Sequence, residues 1–218
     1  METDHVLVEQ RLLREALVSC GDCVALDAGC GRTTRLRSYR DRITRLVGVD
    51  VDEEAGRGNP FLDDYVVADL DGRLPFEADT FDLVYANFVI EHLRAPEAAF
   101  AEWRRVLRPD GWVVVVTTNR ASPFMALADR LPQKARIAAK RHGAGVEERD
   151  VYATRYLANT PSRLAAAAAS AGFHPVSVEY VATLHRYGAR VAGASHLLRA
   201  LERALPASRR STIVASFR

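Results

Sequence analysis

Apolar and polar positions alternate between two periods along this chain. Residues 5–18 place Val6, Leu7, Leu12, Leu13, Ala16 and Leu17 roughly at helical spacing, and Gly21-Asp22 ends that helix. The run Cys-Val-Ala-Leu-Asp-Ala at 23–28 then reads as a short buried strand, and 44–50 as a second strand after a short arginine-rich helix at 34–40. The polar, glycine-containing stretch 53–60 leaves room only for a shortened or lost crossover helix. Residues 65–68 and 81–86 predict strands three and four. Pro96 at a first-turn position, with Phe100, Trp103 and Leu107 on one face, predicts a helix. Pro109-Asp110-Gly111 should stop that helix and turn the chain into an apolar fifth strand at 112–118. A helix from Thr160-Pro161 to Gly172, a strand at 176–181, a helical stretch near 190–205 and a last strand at 212–217 complete the pattern. Alternating strands and helices argue for an α/β fold with a parallel sheet covered on both faces. No internal repeat or linker divides residues 1–218, so a single domain is expected.

Composition narrows the classes. The 218 residues are 48% hydrophobic and 27% charged, which fits a globular domain and excludes a disordered chain. The longest apolar runs fall far short of the roughly 20 residues a membrane helix needs. The N-terminal residues are acidic and lack a following signal-peptide core. With 30 basic against 28 acidic residues, the net charge of +2 gives no electrostatic case for a nucleic-acid partner. Three cysteines supply no disulfide framework, so a reducing cytoplasm is expected. Cys20-Gly21-Asp22-Cys23 has the Cys-x-x-Cys spacing of half a zinc site. Only Cys30 is near enough to add a ligand, so the pair reads as incidental and no metal is expected.

The candidate chemistry lies at strand ends. Gly29-Cys30-Gly31 directly follows the first strand, where two glycines let the backbone turn tightly and approach a ligand. Asp50 ends the second strand about 20 residues on, where a carboxylate can accept from a ribose diol; an exposed strand-end aspartate is the competing reading. Asp69 follows the third strand and could accept from an adenine amino group.

The ordered set resembles the class I S-adenosylmethionine-dependent methyltransferases. The resemblance runs through Leu26-Asp27-Ala28-Gly29-Cys30-Gly31, Gly48-Val49-Asp50, Ala68-Asp69-Leu70, Phe81-Asp82-Leu83-Val84, Ile90-Glu91-His92-Leu93 and Val106-Leu107-Arg108-Pro109-Asp110-Gly111. It implies a doubly wound, seven-stranded, Rossmann-like sheet, mostly parallel, with the last strand antiparallel. It implies S-adenosyl-L-methionine as cofactor. Asp27 and the Gly29, Cys30 and Gly31 loop would hold the methionine portion, Asp50 and Val51 the ribose, and Asp69 and Leu70 the adenine. Asn87 and Phe88 would line the pocket near the reacting methyl. Many members have a third glycine where Thr33 stands. Thr34 occupies the position of the third glycine in a dinucleotide fingerprint, which disfavours a nicotinamide oxidoreductase.

The expected reaction is methyl transfer to an oxygen or nitrogen of a small-molecule acceptor (a secondary metabolite, sugar or lipid-linked substrate). A non-catalytic cofactor-binding module acting through a protein partner is the alternative. His92 is the first candidate for a general base, against a structural histidine that caps the next helix; Tyr152 and Tyr156 are weaker candidates. Glu91 reads as a hydrogen-bonding residue. Residues 119–158 form the expected substrate-selecting segment. Within it, 122–141 interleaves Phe124, Met125, Leu127, Leu131 and Ile137 with Arg130, Lys134, Arg136, Lys140 and Arg141. That pattern suits either a helix packed on the domain or a weak peripheral contact with an anionic lipid surface. Oligomeric state is not legible.

Overall fold

A computed structural model describes residues 5–128, 130, 153–185 and 194–218. Among them lie α1 (His5–Ser19), β1 (Cys23–Ala28), β2 (Ile43–Asp50), α2 (Glu53–Arg57), β3 (Asp64–Val67), β4 (Phe81–Asn87), α3 (Pro96–Val106) and β5 (Leu107–Thr118). They continue with α4 (Pro123–Ala128), α5 (Pro161–Ser170), β6 (Pro175–Val181), α6 (Ala194–Arg203) and β7 (Thr212–Phe217). A 3-10 helix, Arg35–Tyr39, stands where the arginine-rich helix was expected. The seven strands form one sheet in the order β3-β2-β1-β4-β5-β7-β6. Strands β1 to β5 pair in parallel, and β7 runs antiparallel between β5 and β6, as the resemblance implies.

Strand residues alternate between two buried layers because successive side chains point to opposite faces. Leu26, Val84, Ala86, Val113, Val115, Ile213 and Ala215 pack beneath α3 and α5. Ala25, Leu46, Leu83, Tyr85, Val114, Val116 and Val214 pack with Leu12, Leu13, Ala16 and Leu17 of α1. With both faces covered, ligand space is confined to the strand ends.

Several boundaries differ from the pattern reading for local reasons. The buried face of α1 runs through His5, Glu9, Leu12, Leu13, Ala16 and Leu17, while Leu7 is exposed. Glu9 is tolerated there because its carboxylate accepts a hydrogen bond from the Tyr85 hydroxyl. Strand β5 begins at Leu107, immediately after α3. Pro109-Asp110-Gly111 is therefore an irregular bend inside the strand, with Asp110 at a φ of 64°. The Asp82 carboxylate braces that bend, accepting from Arg108 at 2.6 Å and from the Val24 N–H at 2.8 Å. The crossover after β2 keeps only the five residues of α2, capped by Asp52, whose carboxylate accepts from the N–H groups of Glu54 and Ala55.

Of the expected selecting segment, residues 119–128, 130 and 153–158 are described. Leu131, Lys134, Arg136, Ile137, Lys140, Arg141 and Tyr152 lie outside the described residues. None of the described helices is long and apolar enough to cross a membrane.

Phe100 is the hinge of the α3 layer, in edge contact with Trp103, Phe173 and Phe217 at centroid separations of 4.9, 6.2 and 6.0 Å. It joins α3, the turn before β6 and the end of β7. Phe100→Ala should cost about 3–5 kcal/mol in urea denaturation, with Phe100→Leu losing clearly less.

Candidate functional site

The carboxyl ends of β1 to β6, and the amino end of the antiparallel β7, meet along one rim. A cavity of about 740 Å³ runs along it. Gly29, Gly31, Asp50, Val51, Asp69, Leu70, Asn87, Phe88 and His92 all line this space. Asp27 and Cys30, also singled out in the sequence, do not; both are buried beneath the loop.

The loop after β1 is shaped by its glycines. Gly29 and Gly31 adopt φ values of 78° and 52°, and the N–H groups of Gly29 and Cys30 both donate to the Val49 carbonyl. A Cβ on Gly29 would sit 2.4 Å from the Val89 side chain, so glycine is required for both conformation and space. Cys30 packs toward Gly48 and acts as filler. Thr34 caps the following 3-10 helix, accepting from Leu36 N–H at 3.0 Å.

Asp50 is held in place by the backbone. One carboxylate oxygen accepts from Gly31 N–H at 2.9 Å and the other from Asp52 N–H at 3.1 Å. A carboxylate has about four acceptor positions, so two remain for a ligand. Asp69 is half exposed; it accepts from Asp71 N–H at 3.0 Å and pairs closely with the Arg94 guanidinium. Arg94 also bonds Asp71, which accepts from the backbone N–H groups of Arg94 and Ala95. Burial alone would raise the Asp71 pKa, but these backbone donors and the guanidinium hold it below the usual carboxylate range. Asp71 thus satisfies donors at the start of α3, whose N-cap residue Ala95 has no side chain able to do so. This Asp69-Arg94-Asp71 knot joins residues up to 25 apart and carries no local signal in the sequence.

The β4 loop supplies the middle of the wall. Phe88 takes a φ of 56°, pinned by its N–H to the Val116 carbonyl at 2.7 Å. The Nδ1 of His92 lies 2.9 Å from the Ala153 carbonyl. A carbonyl only accepts, so Nδ1 carries the hydrogen and Nε2 is the basic ring nitrogen of the neutral form. Glu91 is buried and accepts from the hydroxyls of Thr117 at 2.8 Å and Thr118 at 3.0 Å. At the far end, Thr118, Thr183, Ser211 and Thr212 join the lining, together with Met125, Arg155 and Tyr156. Among these, the sequence reading weighed only Tyr156 as a site candidate and Met125 as part of the 122–141 pattern.

Beneath the glycine loop, burial pushes the Asp27 carboxyl up to about 7, with the Thr34 hydroxyl opposing and Asp50 and Glu9 adding to the rise. A folded-state pKa above the ordinary 3.8 makes this group favourable to folding at low pH. That contribution is lost as pH rises toward about 7, and the full difference is roughly 4 kcal/mol. Asp27→Asn should therefore match the parent stability near pH ~4 and exceed it near pH ~8, as measured by urea denaturation across that range.

Residues 26–115 match the family model of the methyltransferase domain. The malonyl-acyl-carrier-protein O-methyltransferase of Salmonella typhimurium is 30% identical over 100 residues, 44% of this chain and 39% of that relative. Its Serratia marcescens counterpart is 27% identical over 146 residues, 64% of this chain and 55% of that relative. The chain thus spans about half or less of the length of these curated relatives. A solved S-adenosylmethionine-dependent methyltransferase from Mesorhizobium loti shares the fold with a TM-score of 0.64 and 24% identity, over 96% of this chain and 97% of that one. The matched segment carries the glycine loop and Asp50, and it lies in a sheet that shares its fold with that solved S-adenosylmethionine-dependent methyltransferase.

Proposed function

We propose that this chain transfers the methyl group of S-adenosylmethionine to an oxygen or nitrogen atom of a small-molecule acceptor bound in the rim cavity. The observation that carries this reading is the Asp50 carboxylate, fixed by two backbone N–H groups on the cavity wall with acceptor capacity left for a ribose diol. Two further features fit the cofactor. Asn87 Oδ1 and Arg32 Nε are buried on cavity-lining residues and lack a hydrogen-bond partner among the described residues. Such orphaned groups are costly unless a ligand completes them. The Gly29-Gly31 loop would hold the methionine portion beside Arg32, Asp50 and Val51 the ribose, and Leu70 and Asp69 the adenine. Asp27 would act from below, by bracing the loop. The O-methyltransferase names of the curated relatives support an oxygen acceptor.

Bound there, S-adenosylmethionine supplies an activated methyl on a sulfonium, which an acceptor lone pair takes by in-line displacement. The chain's own task is placement, which can supply much of the rate. Phe88 and Asn87 wall the cavity at the end of β4, and the Ala153 carbonyl orients the His92 ring. His92 Nε2 would take the proton of a hydroxyl or ammonium acceptor, whereas a carboxylate acceptor has no proton to remove. Residues 119–158, which contribute Met125 and Tyr156 to the wall, would choose the acceptor. The near-balanced charge supports a small molecule over nucleic acid, and the cysteine usage supports a reducing, cytoplasmic setting.

Incubation with a panel of acceptors, following S-adenosylhomocysteine release, tests the activity; cofactor binding with no turnover on any acceptor would favour the binding-module alternative. Asp50→Asn should weaken S-adenosylhomocysteine binding by about tenfold or more in calorimetry. His92→Ala should slow turnover by about tenfold or more on a hydroxyl or amine acceptor while leaving cofactor affinity unchanged. Equal turnover would remove the base role.

A further inference from the structure

We propose that the acceptor end of the cavity is built for a substrate carrying an oxyanionic group, a carboxylate or phosphate, and that Arg155 recognises it. The proposal rests on the methyl-transfer reading only for which end of the cavity holds the cofactor.

Strand order divides the rim into two chemically different halves. Asp69, Asp50 and the glycine loop stand at the ends of β3, β2 and β1. Thr118, Ser211, Thr212 and Thr183 stand at the ends of β5, β7 and β6. Neighbouring strands are roughly 4.8 Å apart, so β2 and β7, four spacings apart, are separated by about 19 Å. The first half is acidic and suits the neutral-to-cationic face of an adenosyl sulfonium. The second half presents hydroxyls, with Thr183 bonded to Ser211 at 2.8 Å and to Thr212 at 2.7 Å.

Among the described residues, three arginines line the cavity, and their circumstances differ. Arg94 is spent on Asp69 and Asp71. Arg32 adjoins the glycine loop. Arg155 belongs to the hydroxyl half and forms no salt bridge among the described residues, although its backbone is firmly placed. The N–H groups of Arg155 and Tyr156 both donate to the Glu91 carbonyl, at 2.7 and 3.1 Å, and the Ala153 carbonyl meets His92. Tyr156 is held at a φ of 56°, and Arg120 lies over its ring at 4.9 Å from the centroid, adding positive potential on the same side. Two described acids nearby are already engaged. Glu91 accepts from two threonine hydroxyls, and the buried Glu202 accepts from the N–H groups of Leu184 and Ser211. Arg155 is an exposed residue of the cavity lining that pairs with no described carboxylate, so its guanidinium is available to a ligand oxyanion, which it can bind through two parallel hydrogen bonds.

The test is calorimetric titration of the protein, with and without saturating S-adenosylhomocysteine, in chloride-free buffer of low ionic strength. Succinate serves as the carboxylate probe, inorganic phosphate as the phosphoryl probe and succinamide as the neutral control. Saturable binding of succinate or phosphate but not succinamide is expected, and the better anion identifies the source. Arg155→Gln should weaken that binding by about tenfold or more, and Arg155→Lys by less. S-adenosylhomocysteine affinity should stay unchanged in both variants. Failure of both anions to bind, or equal binding by Arg155→Gln, overturns the proposal. Failure of S-adenosylhomocysteine alone would instead sink the methyl-transfer reading, because the cofactor-free titration still reports on Arg155.

Discussion

The Asp50 carboxylate joins the end of β2 to the glycine loop through Gly31 N–H at 2.9 Å, and to the start of α2 through Asp52 N–H at 3.1 Å. These two bonds fix an anion on the wall of a cavity whose position the sheet dictates. Both sheet faces are closed by helices, so the strand ends are where backbone groups and side chains can meet a ligand. Gly29 allows the loop to double back onto Val49 while Val89 packs against it from the β4 side. A side chain at that position would push the loop and the β4 segment apart.

The rim concentrates unusual environments. Asp27 is buried below the loop with its pKa raised, Phe88 and Tyr156 take left-handed backbone conformations, and polar atoms of Asn87 and Arg32 are buried without partners among the described residues. Each is costly to folding, and each is on or directly beneath one cavity. Away from the rim, the α3 layer is mainly apolar, while the α1 layer also buries Glu9 against the Tyr85 hydroxyl. The gathering of these features around one cavity is the physical argument for a binding site at the rim.

Much of the fold was legible because strands buried on both faces read as continuous apolar runs. Residues 23–28 and 212–217 were delimited from sequence as the structure has them. The cavity-lining positions of Asp50, Asp69, Asn87 and His92 were also legible, since strand-end residues in an α/β fold share a rim. What the sequence concealed was long-range. Arg94 pairs with Asp69 and Asp71 across the gap between two loops, and Asp71 serves the start of α3 from 24 residues away. The sequence offers His92 as a general base or a helix cap, and does not disclose that its ring meets the Ala153 carbonyl, 61 residues on. The phase of α1 was misjudged at Leu7 because the face through Leu12 and Leu13 continues back to Glu9 and His5, which are polar. The hydroxyls at Thr183, Ser211 and Thr212 reach the rim only because β7 is inserted antiparallel, a topology that periodicity does not encode.

The most direct measurement is a crystal structure of the protein with S-adenosylhomocysteine. Ribose hydroxyls are expected on the Asp50 carboxylate, the amino-acid portion against the Gly29-Gly31 loop, and the sulfur facing the half of the rim that carries His92 and Thr118. A nucleoside bound elsewhere, or seated in the cavity with Asp50 making no contact to the ribose, would contradict this placement.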